Sequence, residues 1–225
     1  MEALLIELFP NVVWPEIWKT LLETLYMVGI ATLFTALIGL PLGVLVYLTA
    51  PGQLLHNRFA YQVLSTVINV FRSIPFIILL ILIIPFTKLL VGTSIGVSAA
   101  IPPLVIGTAP FFARLVETSL REVDRGVIEM AQSMGASTLQ IITRVLIPEA
   151  RPGILAGLTI TLVTLVGYSA MSGAIGGGGL GDLALRYGYQ RFQNDVTIVA
   201  TIIMILLVQV FQLFGDKLVA YFRRK

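Results

Sequence analysis

The stretch EMAQSMGASTLQIITRVLIPEA, residues 129–150, interrupts a chain made mostly of long apolar runs. Ser137, with Gln140 three residues later, forms a capping box, which begins a helix. Gly135 suits the left-handed position that ends a preceding helix, and Pro148 cannot continue a helical hydrogen-bond ladder. The stretch therefore predicts a helix, a sharp turn at the glycine, and a second helix that stops at the proline.

The two predicted helices differ in length and character. The first runs from about residue 123 to 134. The second places Leu139, Ile142, Val145 and Leu146 roughly on one face, and it is too short and too polar to cross a membrane. A helix lying on the membrane surface, with its charged side in water, would explain this amphipathic pattern.

The composition of the whole chain indicates an integral membrane protein. Of its 225 residues, 57% are hydrophobic and 12% are charged, whereas soluble domains have about 25% charged residues. The mean hydropathy is +0.94. A soluble domain of this length could not bury so much apolar surface. The net charge of +3 then indicates basic cytoplasmic loops rather than nucleic-acid binding.

Two features limit the chemistry and the processing of the chain. It has no cysteine, which excludes disulfides, cysteine zinc sites and thiol nucleophiles. Glu2, Glu7 and Glu16 precede the first lysine, Lys19, whereas a cleavable signal peptide begins with positive charge. We therefore expect no signal peptide.

Five apolar segments are long enough to cross the hydrocarbon core, which takes about 20 residues of helix. The first contains Glu23 as its only charge, and the second contains Arg72. Pro102, Pro103 and Pro110 break the third, while the fourth and fifth are uncharged. We therefore predict an all-α integral membrane protein with five transmembrane helices. The predicted spans are residues 21–48, 63–86, 91–116, 154–175 and 196–214.

The basic residues predict the orientation of these spans. Five spans place the termini on opposite sides, and cytoplasmic loops are rich in lysine and arginine. With the C-terminus inside, eleven of the 15 basic residues lie on the inner side. We expect an external N-terminal segment (1–19), a transmembrane domain (20–213) with its largest cytoplasmic loop at about 117–152, and a basic cytoplasmic tail (214–225). The outer side then holds Lys19, Lys88, Arg186 and Arg191.

Glycine and proline are frequent inside the predicted spans, as in GLPLG at residues 39–43 and IPPLVIGTAP at residues 101–110. Two interpretations remain open. Such residues either line a cavity that satisfies the freed backbone groups, or they let helices pack closely through small side chains. In both cases these helices contact protein and do not stand alone in lipid.

The spacing of the opening stretch resembles that of ABC-importer permeases. Their cytoplasmic loop carries Glu-Ala-Ala, three residues, Gly, nine residues and Ile-x-Leu-Pro. Here every interval matches, with Met130 in place of alanine and conservative apolar replacements near the end. The resemblance implies a helix-turn-helix that docks into a groove on a cytoplasmic ATPase. The residues that it assigns to ATPase coupling are Glu129, Met130, Ala131, Gly135, Val145, Ile147 and Pro148.

Two longer stretches narrow the resemblance. NVFRSIPFIILLILIIPFTKLLVGTSIG (69–96) and TLVGYSAMSGAIGGGGLGDLALRYGYQRF (164–192) look like the permease of methionine-uptake ABC transporters. The resemblance covers residues 20–213 and implies a type I ABC importer transmembrane domain in the bacterial inner membrane. It implies methionine as the substrate, with its D-enantiomer and close analogues, and two ATPase subunits and an external substrate-binding lipoprotein as partners. A permease for another small amino acid is the alternative.

The chain carries no ATP site of its own. GGGGLGD at residues 176–182 is rich in glycine but lacks the spacing and the lysine of a phosphate-binding loop. On the predicted outer side, this run either forms a flexible turn or touches the external binding protein. We therefore expect ATP and Mg²⁺ to bind a separate subunit, and we expect no enzyme activity, cofactor or metal in this chain.

Four residues with polar or polarisable side chains near the outer half of the fourth span are candidates for the substrate pathway or its gate: Tyr168, Ser169, Met171 and Ser172. A zwitterionic thioether amino acid needs a few polar contacts and polarisable apolar walls. Helix packing is the favoured explanation for any one of these residues, whereas a pathway lining is favoured for the four as a group.

Other polar residues carry weaker signals. His56 is the only histidine, so a metal centre or a catalytic triad lacks converging partners. An intramembrane protease built on Ser169 would need a histidine at membrane depth. Arg72 is either a functional intramembrane charge or a side chain that reaches the inner interface.

A self-sufficient secondary transporter is the competing function. It would be expected to show inverted repeats or paired intramembrane acids, and the spans show neither. The favoured mechanism is an ATP-driven one, in which five spans and one coupling loop make half of a pore that a homodimer completes. ATPase closure would then switch the pore between outward-open and inward-open packings.

Overall fold

The computed structural model describes residues 9–223, and every regular element among them is helical. Short π-helical turns at Ile142–Leu146 and Ala184–Tyr189 and a 3-10 turn at Gly173–Ile175 join some of the helices. Residues 1–8 of the predicted N-terminal segment and residues 224–225 of the predicted tail lie outside the described residues. The helices are α1 Trp14–Thr49, α2 Arg58–Ser73, α3 Phe76–Leu82, α4 Ile84–Val91, α5 Val97–Arg121, α6 Arg125–Ser133, α7 Thr138–Ile141, α8 Ile147–Ser172, α9 Gly179–Leu183 and α10 Asn194–Arg223.

Four helical runs among the described residues are long and apolar enough to cross a membrane. The pair α2 and α3 adds a fifth if this bent pair counts as one span. The prediction of an all-α membrane protein is therefore confirmed, and the second span differs in form from the prediction. The four runs are Trp14–Thr49, Val97–Arg121, Thr138–Ile175 and Asn194–Arg223.

The second predicted span is wrong as a single helix. α2 ends at Ser73, and a sharp bend separates it from α3. Pro75 precedes α3 in an extended conformation, with φ −56° and ψ 132°, and a residue that comes before a proline is disfavoured in the helical region. Arg72 consequently lies in the last turn of a separate amphipathic helix.

The third predicted span is wrong in detail, because its prolines do not break it. α5 runs through Pro102, Pro103 and Pro110 without interruption. Each proline removes one backbone hydrogen bond, and neighbouring helices can compensate for that loss in a membrane protein. The interruption comes earlier, where Gly92 and Gly96 take φ values of 82° and 95°.

The helix predicted to stop at Pro148 continues instead. α7, the π turn Ile142–Leu146 and α8 form one helical run. In the π turn, the Ile147 N–H donates to the carbonyl of Ile142, five residues earlier. This wider turn accommodates Pro148, which has no N–H and would clash with a carbonyl of a regular turn.

The chain divides into two compact units, one of which comprises residues 34–73, 108–161 and 213–223. In this unit α1 approaches α5 at two glycines. A Cβ atom on Gly39 would lie 2.9 Å from the Ala109 carbonyl oxygen, and one on Gly43 would lie 2.5 Å from that of Ala113. Close packing through small residues therefore explains the GLPLG run, and a cavity does not.

The other unit comprises residues 9–33, 74–107 and 162–212. Here α9 lies directly against the end of α8. A Cβ atom on Gly173 would collide with the backbone of Asp182, and one on Gly181 would collide with the backbone of Ala170. Both glycines are therefore needed for this contact between the two helices.

Candidate functional site

The predicted coupling loop is built from α6, a turn at Gly135 and α7. The Asp124 carboxylate caps α6 by accepting a hydrogen bond from the Gly126 N–H at 2.6 Å. Gly135 has φ 77°. The Ser137 N–H donates to Gln140 Oε1 at 2.8 Å, and the Gln140 N–H donates to Ser137 Oγ at 3.4 Å. The structure therefore confirms the predicted turn and the predicted capping box.

One face of this loop is fixed to helices of its own unit. Its apolar side chains join α1, α5 and the start of α8 in one buried cluster, so the loop follows those helices as a packed body. Of the four residues predicted to share one face of the second helix, Leu146 belongs to this cluster, Ile142 and Val145 pack against it, and Leu139 does neither. The buried members are Val44, Tyr47, Leu48, Phe112, Val116, Leu120, Val123, Ile128, Ala131, Ile141, Leu146 and Ala150.

The opposite face of the loop exposes apolar side chains around the glycine turn. Met134 is 81% exposed and Leu139 is 69% exposed, and Met130 and Gly135 are also exposed. We call these four residues the loop surface. Contiguous exposed apolar side chains are uncommon outside binding surfaces, and methionine adapts its shape to a partner.

The motif residues divide between the two faces of the loop. Glu129 lies on the exposed side and, with Arg125 and Gln132, lines an open hollow of about 250 Å³ next to residues 52–54. Exposed with it are Met130 and Gly135, whereas Ala131 is buried and Val145, Ile147 and Pro148 are half-buried. The motif thus combines residues that fix the loop with residues that a partner can reach.

A buried carboxylate near the start of the loop was missed by the sequence analysis. Glu117 of α5 is 1% exposed. Its Oε2 accepts a hydrogen bond from Arg114 Nη1 at 2.5 Å, and its Oε1 accepts one from Arg121 Nη2 at 2.7 Å. A buried charge needs such partners. The i−3 and i+4 spacing of the two arginines is the sequence signal that could have identified the cluster.

The four candidate pathway residues lie at the end of α8 in different surroundings. The Tyr168 ring stacks on Phe76, with ring centroids 4.0 Å apart. Ser169 and Ser172 are buried, and their hydroxyls donate to backbone carbonyls three residues earlier at 2.8 and 2.6 Å. Met171 is 48% exposed. The two buried hydroxyls are therefore satisfied within α8, and Met171 is accessible to another molecule.

The glycine run that follows α8 is a closely packed turn, whereas a flexible turn was one of the two expectations from the sequence. Gly176, Gly178 and Gly179 have φ values of 76° or 77°. The Gly96 N–H donates to the Gly176 carbonyl at 2.8 Å. We call residues 176–179 the glycine turn.

The remaining polar candidates have simple surroundings. The Arg72 guanidinium lies 6.0 Å from the centre of the Phe111 ring, at the outer limit of a cation–π contact. His56 is exposed in the loop between α1 and α2. Among residues 9–223, no group of three or more histidine, aspartate or glutamate side chains could hold a metal ion.

Comparisons with known proteins agree with this arrangement. Residues 39–225 match the family described as binding-protein-dependent transport system inner membrane component. A probable D-methionine transport system permease of Pasteurella multocida (strain Pm70) is 52% identical over 212 residues, which is 92% of this chain and 98% of that protein. A methionine import system permease of Bacillus subtilis (strain 168) is 54% identical over 208 residues, which is 92% of this chain and 94% of that protein.

Solved structures give the same result for the fold. A chain from an inward-facing conformation of the MetNI methionine ABC transporter superposes with a TM-score of 0.91 and 48% sequence identity, covering 92% of this chain and 96% of that one. A chain from an amino acid ABC transporter with histidines has a TM-score of 0.72 and 23% identity, covering 93% of this chain and 94% of that one. The second similarity concerns the fold alone.

Proposed function

Because this chain belongs to the family of binding-protein-dependent transport system inner membrane components, and is thus the permease subunit of an ABC importer, we propose that its substrate is methionine. The L-enantiomer, the D-enantiomer and close analogues are all within this proposal. The observation that carries it is the identity of 52% and 54% to two permeases named for methionine, each along 92% of this chain. A permease for another small amino acid is the alternative.

A substrate panel tests this proposal. The permease is reconstituted in liposomes with the ATPase and binding protein of its own organism, and uptake of radiolabelled L-methionine, D-methionine, leucine and histidine is compared. We expect ATP-dependent accumulation of methionine and little of the other two amino acids. Accumulation of another amino acid without methionine would refute the substrate and leave the family assignment intact.

We infer that the permease works as a homodimer with two cytoplasmic ATPase subunits, which bind ATP and Mg²⁺. The chain has one coupling loop for one ATPase, and a second copy would complete a pore. We further infer that an external binding lipoprotein delivers the substrate, in line with the family's description as binding-protein-dependent. ATPase closure would move the loop and, with it, the helices to which the loop is packed.

We propose that the ATPase contacts the loop surface and the exposed motif residues, namely Glu129, Met130, Met134, Gly135 and Leu139. The support is their exposure around a turn of fixed geometry. The motif residues Ala131, Val145, Ile147 and Pro148 would instead hold the loop on its membrane helices. Force applied to the exposed side could then reach α8 through a continuous helical run.

We propose that the end of α8, with Tyr168, Ser169, Met171 and Ser172, lines the substrate pathway. Met171 would face the pathway as an apolar, polarisable constriction, because its side chain is exposed. Tyr168 would support it from the Phe76 stack, and the two serines would fix the helix end. Ser169→Ala should therefore retain most uptake, whereas Met171→Glu should abolish it.

We propose that the N-terminus is external, that residues 20–213 form the membrane domain, and that the tail at 214–225 is cytoplasmic. The support is the distribution of basic residues in the sequence. Because the chain has no cysteine, single cysteines report the orientation directly. Thr93→Cys should react with an impermeant maleimide added outside intact cells, and Ser133→Cys should react only after permeabilisation. The reverse pattern would refute the orientation.

A further inference from the structure

We propose that Glu23 is a positioning residue of the outer gate: its carboxylate holds the glycine turn, and through it the end of α8 that carries Met171. This inference rests on the proposed function, in which Met171 lines the pathway. It assigns a role to the only charge of the first predicted span and to the glycine run, two features that ATPase coupling leaves unexplained.

Two hydrogen bonds join α1 to the residues that follow the glycine run. Glu23 Oε2 accepts from the Gly179 N–H at 3.0 Å, and Thr24 Oγ1 accepts from the Leu180 N–H at 2.9 Å. These side chains are adjacent on α1, and 156 residues of sequence separate each from its partner. The contacts therefore tie α1 to the segment after α8 and do not merely complete a local turn.

The environment of the carboxylate makes this contact strong. The Glu23 side chain is 26% exposed, and a hydrogen bond that an ionised group accepts in a partly buried site is stronger than a neutral one. Thr24 is buried, and its hydroxyl also donates to the Thr20 carbonyl at 2.9 Å. Lys19 lies on the exposed side, with its Nζ 3.9 Å from Glu23 Oε1. Such an exposed ion pair contributes little to stability.

The glycine turn transmits this anchoring to α8 through backbone contacts. The Gly177 N–H donates to the Ser172 carbonyl at 2.9 Å. Gly173 and Gly181 bring α9 against the end of α8 without room for a Cβ atom. A segment packed backbone to backbone moves as one piece. If the glycine turn moves away from α1, the end of α8 that carries Met171 therefore moves with it.

The absence of cysteine allows a direct test. Met171→Cys is introduced into three versions of the permease, each in the full complex. These are the otherwise unchanged chain, the Glu23→Ala variant and the Lys19→Ala variant. The rate at which an impermeant maleimide labels the introduced cysteine from outside is measured without ATP. We expect Glu23→Ala to raise the rate about tenfold, as loss of a hydrogen bond to a charged group would, and Lys19→Ala to leave it unchanged.

A second reporter separates loss of the anchor from general loosening. Leu207→Cys, at a buried position of α10 outside the cluster that joins α1 to α9, should label at the same slow rate in all three backgrounds. If the complex with Glu23→Ala does not assemble, Thr24→Val removes the neighbouring acceptor at nearly constant volume and should also accelerate labelling of Met171→Cys. Equal acceleration at both reporters would refute a positioning role.

Methionine uptake by the unmodified complex is measured in parallel. The complex could take up methionine while the labelling rate of Met171→Cys is the same with and without Glu23→Ala. That result would refute the inference and leave the proposed function intact. Failure to take up methionine would refute the proposed function, because the labelling rates report only the position of the helix end.

Discussion

At Gly135 a single backbone conformation decides the geometry of the coupling loop. Its φ is 77°, and a Cβ atom there would meet no other atom within 4 Å. Any penalty on substitution therefore comes from the backbone and not from crowding. An L-residue in this region costs about 1–2 kcal/mol, more for a β-branched residue and less for asparagine.

Replacement of Gly135 should separate loop geometry from membrane insertion. Gly135→Val should reduce the ATPase that co-purifies with the permease and should reduce uptake, with normal amounts of permease in the membrane. Gly135→Asn, which tolerates the same φ, should retain most of both. Quantitative co-purification is the measurement. Wild-type binding by the valine variant would show that the turn does not determine docking.

At the scale of elements, glycines decide where the membrane helices touch. Gly43 of α1 lies so close to α5 that a Cβ atom would overlap its backbone, whereas Gly29 of the same helix faces open space. Overpacking in a well-packed contact costs about 1–3 kcal/mol. Gly43→Val should therefore lower the thermal midpoint of the detergent-solubilised protein by several degrees, and Gly29→Val is the matched control. Equal midpoints would contradict the packing account.

The loop surface makes a second prediction at this scale. Met134→Glu places a charge on the apolar face that we assign to the ATPase and should weaken co-purification about tenfold or more, since desolvating a charge costs at least 1.4 kcal/mol. Met134→Leu keeps an apolar side chain of similar size and should bind normally. If both variants bind as wild type does, the ATPase contacts another face.

Whether a structural feature could be predicted from the sequence depends on whether residues close in sequence determine it. The capping box at Ser137 and the left-handed Gly135 were predictable because neighbouring residues suffice to specify them. The course of the chain at Pro148 was not, because a π turn absorbs the proline. The unbroken helix through Pro110 depends on packed neighbours, and the partners of Glu23 are distant in sequence. Helix ends that neighbouring residues specify could therefore be predicted from the sequence. Features that depend on contacts between distant residues could not.

At the scale of the whole molecule, one groove suggests where a second copy packs. It lies between α8 and α10, has a volume of about 310 Å³ and is lined mostly by apolar residues around Gly167 and Gln209. Gln209 is exposed within a candidate span, where an amide facing lipid is unfavourable. A Cβ atom on Gly167 would meet nothing within 4 Å, so packing within a single copy of the chain does not require a glycine at this position.

We infer a two-fold contact across this groove whose axis passes beside Gln209, which would bring the two Gln209 side chains together. Gln209→Cys should therefore form a covalent dimer with a short bismaleimide in membranes. Val210→Cys, the next exposed residue around the helix, should cross-link poorly. Efficient cross-linking only at residue 210 would place the interface elsewhere.

The most direct test of the central claim is ATP-dependent uptake by purified components. The permease is reconstituted with its ATPase and binding protein, and radiolabelled methionine is counted inside the liposomes. The account predicts accumulation that requires ATP, the ATPase and the binding protein, and none by the permease alone under a proton or sodium gradient. Gradient-driven accumulation of methionine by the permease alone would contradict it.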